Sequence, residues 1–344
     1  MEKGLVRVMK VISAYDHSKK LVANVSPQLR LAEGQDYEAW KKTAYDKLYD
    51  LLGMDQFEKC DPMLEIEWEK NHDEYREIRF TFQSEEGYVV PCHVLLPKAV
   101  LPPYKPVICI QGHSKGMHIS LGQPKYEGDE ASIRGDREFA VRAVAEGWAA
   151  ITIEQRYMGE CGSDEGNPGC AKHGTDMNAL LLGRTAIGER AWDVMRLIDV
   201  LEDHFDCFDM DKLMCLGNSG GGTTIFYVAC LDERIKCAVP SCSVCTFRDS
   251  IGGMKHCGCN YIPGIAKYFD MGDLTGLIAP RKLVITHGKR DPIFPERGVL
   301  ESYEIAKKMY EKAGCSGDVR LVTGMGVHRF YADDTWPVIH ELME

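Results

Sequence analysis

Five residues, Gly217-Asn218-Ser219-Gly220-Gly221, directly follow the apolar run Leu213-Met214-Cys215-Leu216. The run reads as a short buried strand and the residues after the pentapeptide as a helix, so the chain has to reverse sharply between the two. In this G-x-S-x-G spacing glycine brackets the serine because so tight a turn leaves almost no room for side chains beside it. The turn lifts the serine hydroxyl clear of the sheet and aims the N-terminus of the following helix at it. A chain carrying this element is committed to strand–turn–helix units in a layered sheet, with Ser219 as a candidate nucleophile.

Two later segments match that reading. Arg281 to Pro295 contains a β-branched strand, then Gly288, then Asp291 held by Pro292 and Pro295. Val319-Arg320-Leu321-Val322-Thr323 is another strand, followed by the loop Gly324-Met325-Gly326-Val327-His328. Serine, acid and histidine therefore occur in that order, each on a loop after a predicted strand.

The remaining strands and helices fit one pattern. Residues 1–73 read as an N-terminal helical extension, with Tyr37 to Leu52 carrying apolar residues at three-and-four spacing and stopping at Gly53. Residues 74–344 read as the catalytic domain. It opens on a hairpin, Tyr75 to Gln83 and Tyr88 to Leu96, joined by Ser84-Glu85-Glu86-Gly87. Strands and helices then alternate, with strands at Pro106 to Gln111, Trp148 to Glu154, Lys212 to Leu216, Arg234 to Pro240, Lys282 to Thr286 and Asp318 to Thr323. Such alternation predicts an α/β fold, a mostly parallel twisted sheet with helices on both faces and functional loops at the strand C-terminal ends. Two stretches without a period, 159–174 and 241–272, read as long loops, the second as a small loop-rich cap over the site.

A net charge of −11 argues against nucleic-acid binding, which needs clustered Lys and Arg. No apolar run approaches the roughly 20 residues of a membrane-spanning helix, and the charged first ten residues lack the apolar stretch of a secretory signal. A cytoplasmic location is expected; the sequence leaves a homo-oligomer open. The fourteen cysteines lie mostly in buried-looking segments, where they act as small apolar residues. Cys242, Cys245, His256, Cys257 and Cys259 are denser, and zinc ligation is the alternative reading there. Cys-x-Cys is a poor chelating pair, and no metal is assigned.

Serine is a weak nucleophile near neutral pH and needs an adjacent base, which in turn needs a carboxylate to fix its tautomer. Ser219, His328 and Asp291 are expected in those roles. His113, His118 and His287 are rival bases, and Asp333 and Asp334 rival acids placed to cap the last helix. The oxyanion donors are expected to be the backbone N–H of Gly220 and that of His113, in the loop Gln111-Gly112-His113-Ser114-Lys115-Gly116. Ser114 is expected to meet substrate. Arg156 reads either as a buried ion-pair partner or as a substrate contact.

On these residues the chain resembles the α/β-hydrolase superfamily, in the group of dienelactone hydrolase-like proteins and acetyl xylan esterase-like carbohydrate esterases. The resemblance runs from about Tyr75 to the C-terminus. It rests on Gln111-Gly112-His113, Arg156-Tyr157-Met158-Gly159-Glu160, the Ser219 pentapeptide, Gly288-x-x-Asp291-Pro292 and His328. Gln111 and Tyr157 depart from the residues relatives often carry. The resemblance implies hydrolysis of small-molecule carboxylic esters, plausibly acetyl esters, through an acyl-enzyme without metal or organic cofactor. A prolyl-oligopeptidase-type serine peptidase and a non-catalytic binding protein on the same fold are the alternatives.

Overall fold

Pro106–Ile110 (β4), Ala149–Ile153 (β5), Met214–Asn218 (β6) and Cys237–Ser241 (β7) are short runs rich in small and apolar residues, and every residue in them is buried. Strands of this composition require cover on both faces. The computed structural model, which describes residues 11–162 and 177–344, pairs them in parallel and continues through Lys282–Gly288 (β8) to Val319–Gly324 (β9). On the other flank lie Glu65–Asn71 (β1), Tyr75–Glu85 (β2) and Tyr88–Pro97 (β3), antiparallel to one another, with β3 antiparallel to β5. The sheet order is β1-β2-β3-β5-β4-β6-β7-β8-β9.

That order places the functional loops. From β4 the chain crosses outward to β5, then returns past β4 to lay β6 on its other side, so the winding reverses between β4 and β6. Loops leaving neighbouring strands at such a reversal diverge and open a crevice at the strand C-terminal ends. The segment after β4 and the elbow after β6 flank that crevice.

Helices Ala186–His204, Gly220–Leu231 and Met271–Ile278 bury Ile198, Phe226 and Leu274 in one core. Phe139–Ala145 and Ala332–Met343 bury Phe139 and Trp336 in a second, with Trp148 and Phe330. Among the described residues, no helix is long and apolar enough to cross a membrane.

The N-terminal region differs from a wholly helical extension. Ala14–Ala23 and Tyr37–Leu52 are helices, but Glu65–Asn71 is the edge strand of the sheet. Its residues, Glu-Ile-Glu-Trp-Glu-Lys-Asn, are all exposed, and a charged edge strand carries none of the apolar alternation of a half-buried one. The helix Tyr37–Leu52 is capped by the Asp36 side chain and buries Trp40, Ala44, Leu48 and Leu52. Tyr37 donates to the Gly276 carbonyl at 2.6 Å and Lys41 to that of Ala279 at 2.8 Å, fastening this helix to the core. Between β7 and Met271–Ile278 the chain forms only single turns, at Gly258–Asn260 and Ile265–Tyr268. The other loop-like stretch, 159–174, starts with a turn at Gly159–Cys161; from residue 163 it lies outside the described residues.

Candidate active site

Ser219 sits between β6 and the helix Gly220–Leu231 with φ 55° and ψ −122°, a conformation that L-residues rarely adopt. Its N–H donates to the Ser241 carbonyl at the end of β7 (2.8 Å), which anchors the turn to the sheet. Close packing explains the flanking glycines. A Cβ on Gly221 would lie 2.2 Å from the Ile110 carbonyl oxygen and 2.6 Å from that of Gln111, both backbone atoms of β4 and its loop. The N–H of Gly220 opens the helix and has no intrahelical acceptor.

Asp291 and His328 come together from the loops after β8 and β9. Lys289 donates its N–H to the Gly324 carbonyl and Arg290 to that of Gly326, both at 2.8 Å, so the two loops continue the pairing of their strands. Gly288 lets them close: a Cβ there would stand 2.2 Å from the Val327 carbonyl oxygen. Asp291 Oδ2 lies 2.7 Å from His328 Nδ1, while Oδ1 accepts the N–H groups of Ile293 (2.8 Å) and Phe294 (3.0 Å). Burial alone would raise this carboxyl; the bonds from His328, Phe294 and Ile293 outweigh it and hold Asp291 below the ordinary carboxylate range. With Nδ1 committed to the carboxylate, Nε2 is the imidazole nitrogen left to exchange a proton.

A pocket of about 390 Å³ joins these parts. Its walls include Ser219, Gly220, His113, His256, Asn260 and Phe294. The Phe294 ring stacks on His328, with centroids 5.8 Å apart and planes 14° from parallel. His256 meets Phe294 edge-on at 5.4 Å, and burial, with His113 and His328 nearby, lowers its imidazole to about 4. His256 is therefore neutral near pH 7 and is no proton donor there. Larger hollows exist, one of about 530 Å³ beside Arg30 and Asp273, but the strained serine opens onto none of them.

The loop after β4 is held from beneath. Gln155 donates to the Gln111 carbonyl and accepts from Thr224 Oγ1 (2.8 Å), tying that loop to the helix after the serine. Glu154, 3% exposed, accepts the N–H of Met117 (3.0 Å) and that of Glu160 (3.3 Å). Burial dominates its proton affinity and raises the carboxyl to about 8.

A family match settles what kind of core this is: the Abhydrolase family matches residues 8–314, most of the chain. The chain belongs to the abhydrolase family. Over 242 residues it is 26% identical to YtaP of Bacillus subtilis (strain 168), a protein assigned as a hydrolase, covering 69% of this chain and 77% of the relative. A Bacteroides fragilis NCTC 9343 structure, described as an acetyl xylan esterase, superposes with a TM-score of 0.79 at 16% identity, covering 99% of this chain and 97% of that one. A glucuronoyl esterase from Solibacter usitatus gives 0.68 at 17% identity, over 93% and 98%. At such identities the solved structures share the fold.

Within the abhydrolase core, two expected substrate contacts are turned elsewhere. Arg156 is 7% exposed and bidentate to Asp193, with both bonds at 2.9 Å; it reaches Glu85 at 3.1 Å and lies 4.1 Å from the Tyr88 ring centroid. The ion-pair reading of Arg156 replaces the substrate one. Ser114 Oγ engages the backbone of Gly116, its own loop, and does not line the pocket of Ser219. Of the rival histidines, His118 pairs with Asp129 (2.8 Å) and His287 with Thr323 (2.9 Å), both buried. Asp333 and Asp334 sit exposed in the first turn of the last helix, where Asp333 meets Arg142 at 2.8 Å. His256, Phe294 and Asn260 were not singled out as pocket residues by sequence reasoning; the nearness of Phe294 to Asp291 was the only signal.

Proposed function

We propose that this abhydrolase hydrolyses small carboxylic esters through an acyl-enzyme on Ser219, with His328 as general base and Asp291 as its orienting carboxylate. One observation carries the reading. A strained serine at a strand–helix elbow opens onto a pocket whose Phe294 wall stacks on an imidazole already bonded to a buried carboxylate. Strain at an isolated non-glycine residue persists where the surroundings over-determine it, and such residues cluster at reacting centres.

The steps follow from these groups. Ser219 Oγ attacks the ester carbonyl carbon while His328 Nε2 takes the hydroxyl proton. The N–H groups of Gly220 and His113 stabilise the oxyanion, as preorganised donors in a partly dry pocket do. Collapse expels the alcohol, which leaves with the proton from His328. Water then attacks the acyl-enzyme with His328 again as base, releasing the acid and restoring Ser219. Asp291 holds the Nδ1–H tautomer and stabilises the imidazolium in both halves.

The pocket of about 390 Å³ favours a short acyl group, acetyl being the reference. Solved relatives described as acetyl xylan and glucuronoyl esterases support an ester with a carbohydrate or similarly polar portion. A cytoplasmic location is part of the same proposal, supported by free thiols in apolar strands, such as Cys109, Cys215 and Cys237.

The test is hydrolysis of p-nitrophenyl acetate, butyrate and octanoate by the parent enzyme and Ser219→Ala. Rates that fall with acyl length and vanish in the variant support the proposal. Full activity in Ser219→Ala, or cleavage of aminoacyl-naphthylamides in preference to all three esters, overturns it.

A further inference from the structure

The five residues that the sequence groups as a zinc alternative separate in the fold. Cys242 Sγ donates to the Arg329 carbonyl at 3.2 Å behind the Asp291–His328 pair, and burial beside Asp291 pushes its thiol up to about 12. Cys245 faces the Pro295 carbonyl at 3.7 Å, and His256 the Ser250 hydroxyl at 3.1 Å. Cys257 and Cys259 instead meet His113, which the sequence places 146 positions before Cys259.

We propose that His113, Cys257 and Cys259 form a binding site for a soft or borderline divalent cation, with zinc as the reference ion, and that its occupancy blocks the esterase pocket. His113 Nε2 and the two Sγ atoms all lie within 4.8 Å of one another, with Nε2 2.9 Å from Cys259 Sγ. A tetrahedral zinc holds such ligand atoms roughly 3.5–3.8 Å apart, so modest side-chain rotations close the set around an ion. The short turn at Gly258–Asn260 removes the objection to a Cys-x-Cys pair. In an extended chain the two thiols would share a face but stand about 6.6 Å apart, and the turn brings them nearer. One imidazole and two thiolates are ligands of choice for zinc, leaving a fourth position for water.

The ligands are reachable and badly placed for turnover. His113 is exposed and Cys257 half-buried, and both line the pocket that holds Ser219. A Cβ on Gly220 would lie 2.8 Å from the His113 ring, so a metal fixed to this imidazole sits against the N-terminus of the nucleophile's helix. Binding takes the two thiols as thiolates and releases their protons, so occupancy rises with pH. The binding part is independent of the esterase proposal; the blocking part rests on it.

The experiment titrates metal-free protein with cobalt(II) as a spectroscopic probe, then with zinc, in the parent, Cys257→Ser and Cys259→Ser. The expected result is stoichiometric cobalt uptake with an intense thiolate-to-metal charge-transfer band that each serine variant weakens or loses. Losing a second-shell partner already costs a metal site 10–100-fold, so loss of a direct ligand is expected to weaken zinc binding by more than about tenfold. Zinc should inhibit p-nitrophenyl acetate hydrolysis in the parent, reversibly with chelator, and inhibit Cys259→Ser only at about tenfold higher concentration, each measured against its own metal-free rate. Substoichiometric uptake, or a band unchanged in both variants, overturns the site. Tight binding without inhibition overturns the blocking role. Failure of the metal-free parent to hydrolyse any ester counts against the esterase reading alone, because the cobalt band still decides the site. Cys257 is half-buried, so Cys257→Ser keeps the test available if the buried Cys259 variant misfolds.

Discussion

His328 Nδ1 lies 2.7 Å from Asp291 Oδ2, and the other oxygen of that carboxylate is held by two backbone N–H groups. The carboxylate is thus rigid before it meets the imidazole, and the imidazole is fixed in the tautomer that leaves Nε2 unprotonated. Asp291→Asn keeps an acceptor for Ile293 and Phe294, but its amide favours the opposite tautomer. Steady-state kinetics should show kcat reduced by about 10³–10⁴-fold with an unchanged circular dichroism spectrum. A loss below tenfold would mean that Asp291 does not orient the base.

Ser219 makes a second prediction, on stability. At φ 55° and ψ −122° any Cβ is strained, and glycine alone adopts this region freely. Both Ser219→Ala and Ser219→Gly should lose about four orders of magnitude or more in kcat. The glycine variant should nevertheless be the more stable of the two by about 1 kcal/mol, because it releases the strain. Urea midpoints of the two variants settle it; equal midpoints would mean an unstrained turn.

The local signals that made the elbow legible are the same ones that hold it together. Gly221 packs against backbone from β4, and that necessity is written in the sequence as a glycine beside the serine. The order of strand-terminal residues likewise located Asp291 and His328, because parallel strands place their C-terminal loops at one edge. The edge strand Glu65–Asn71 was not legible, since it buries nothing and so shows no alternation. Arg156 was ambiguous for a different reason. Its partners Asp193 and Glu85 are 37 and 71 positions away, and only the fold decides whether a cation meets them or a ligand. The meeting of His113 with Cys259 was beyond sequence reasoning on the same grounds.

Gly221→Ala tests the elbow's packing directly. Its new Cβ would press on two carbonyl oxygens of β4 and its loop, neither able to rotate away. Overpacking against backbone should cost about 3 kcal/mol or more, read as a lowered urea midpoint and poor expression. Gly317→Ala is the control: nothing lies within 4 Å of its added Cβ, and its midpoint should stay within about 0.5 kcal/mol of the parent.

Glu154 predicts a pH dependence of stability. Burial raises its folded-state value to about 8 from the ordinary 4.5, so its favourable contribution is complete below about pH 4.5 and is lost as pH rises through about 8. Glu154→Gln removes the titration while keeping an acceptor for the Met117 N–H. The stability difference between parent and variant should therefore shift against the parent by roughly 3–5 kcal/mol from pH 4.5 to 8, measured by urea unfolding at each pH. A difference constant over that range would mean that the carboxyl is ionised throughout, held by its two N–H donors.

Arg156 separates packing from substrate binding. Removing it leaves Asp193 and Glu189 buried beside each other, since Glu189 lies 3.7 Å from the guanidinium and is itself 4% exposed. Breaking a buried pair by deleting one partner costs about 3–5 kcal/mol, because the remaining charge stays uncompensated. Arg156→Met should show that loss in urea unfolding. Its folded fraction should keep the parent KM for p-nitrophenyl acetate, because the side chain does not line the Ser219 pocket. A KM raised tenfold with unchanged stability would return Arg156 to the substrate. Combining Arg156→Met with Asp193→Leu should recover part of the lost stability, as an apolar pair relieves the stranded carboxylate.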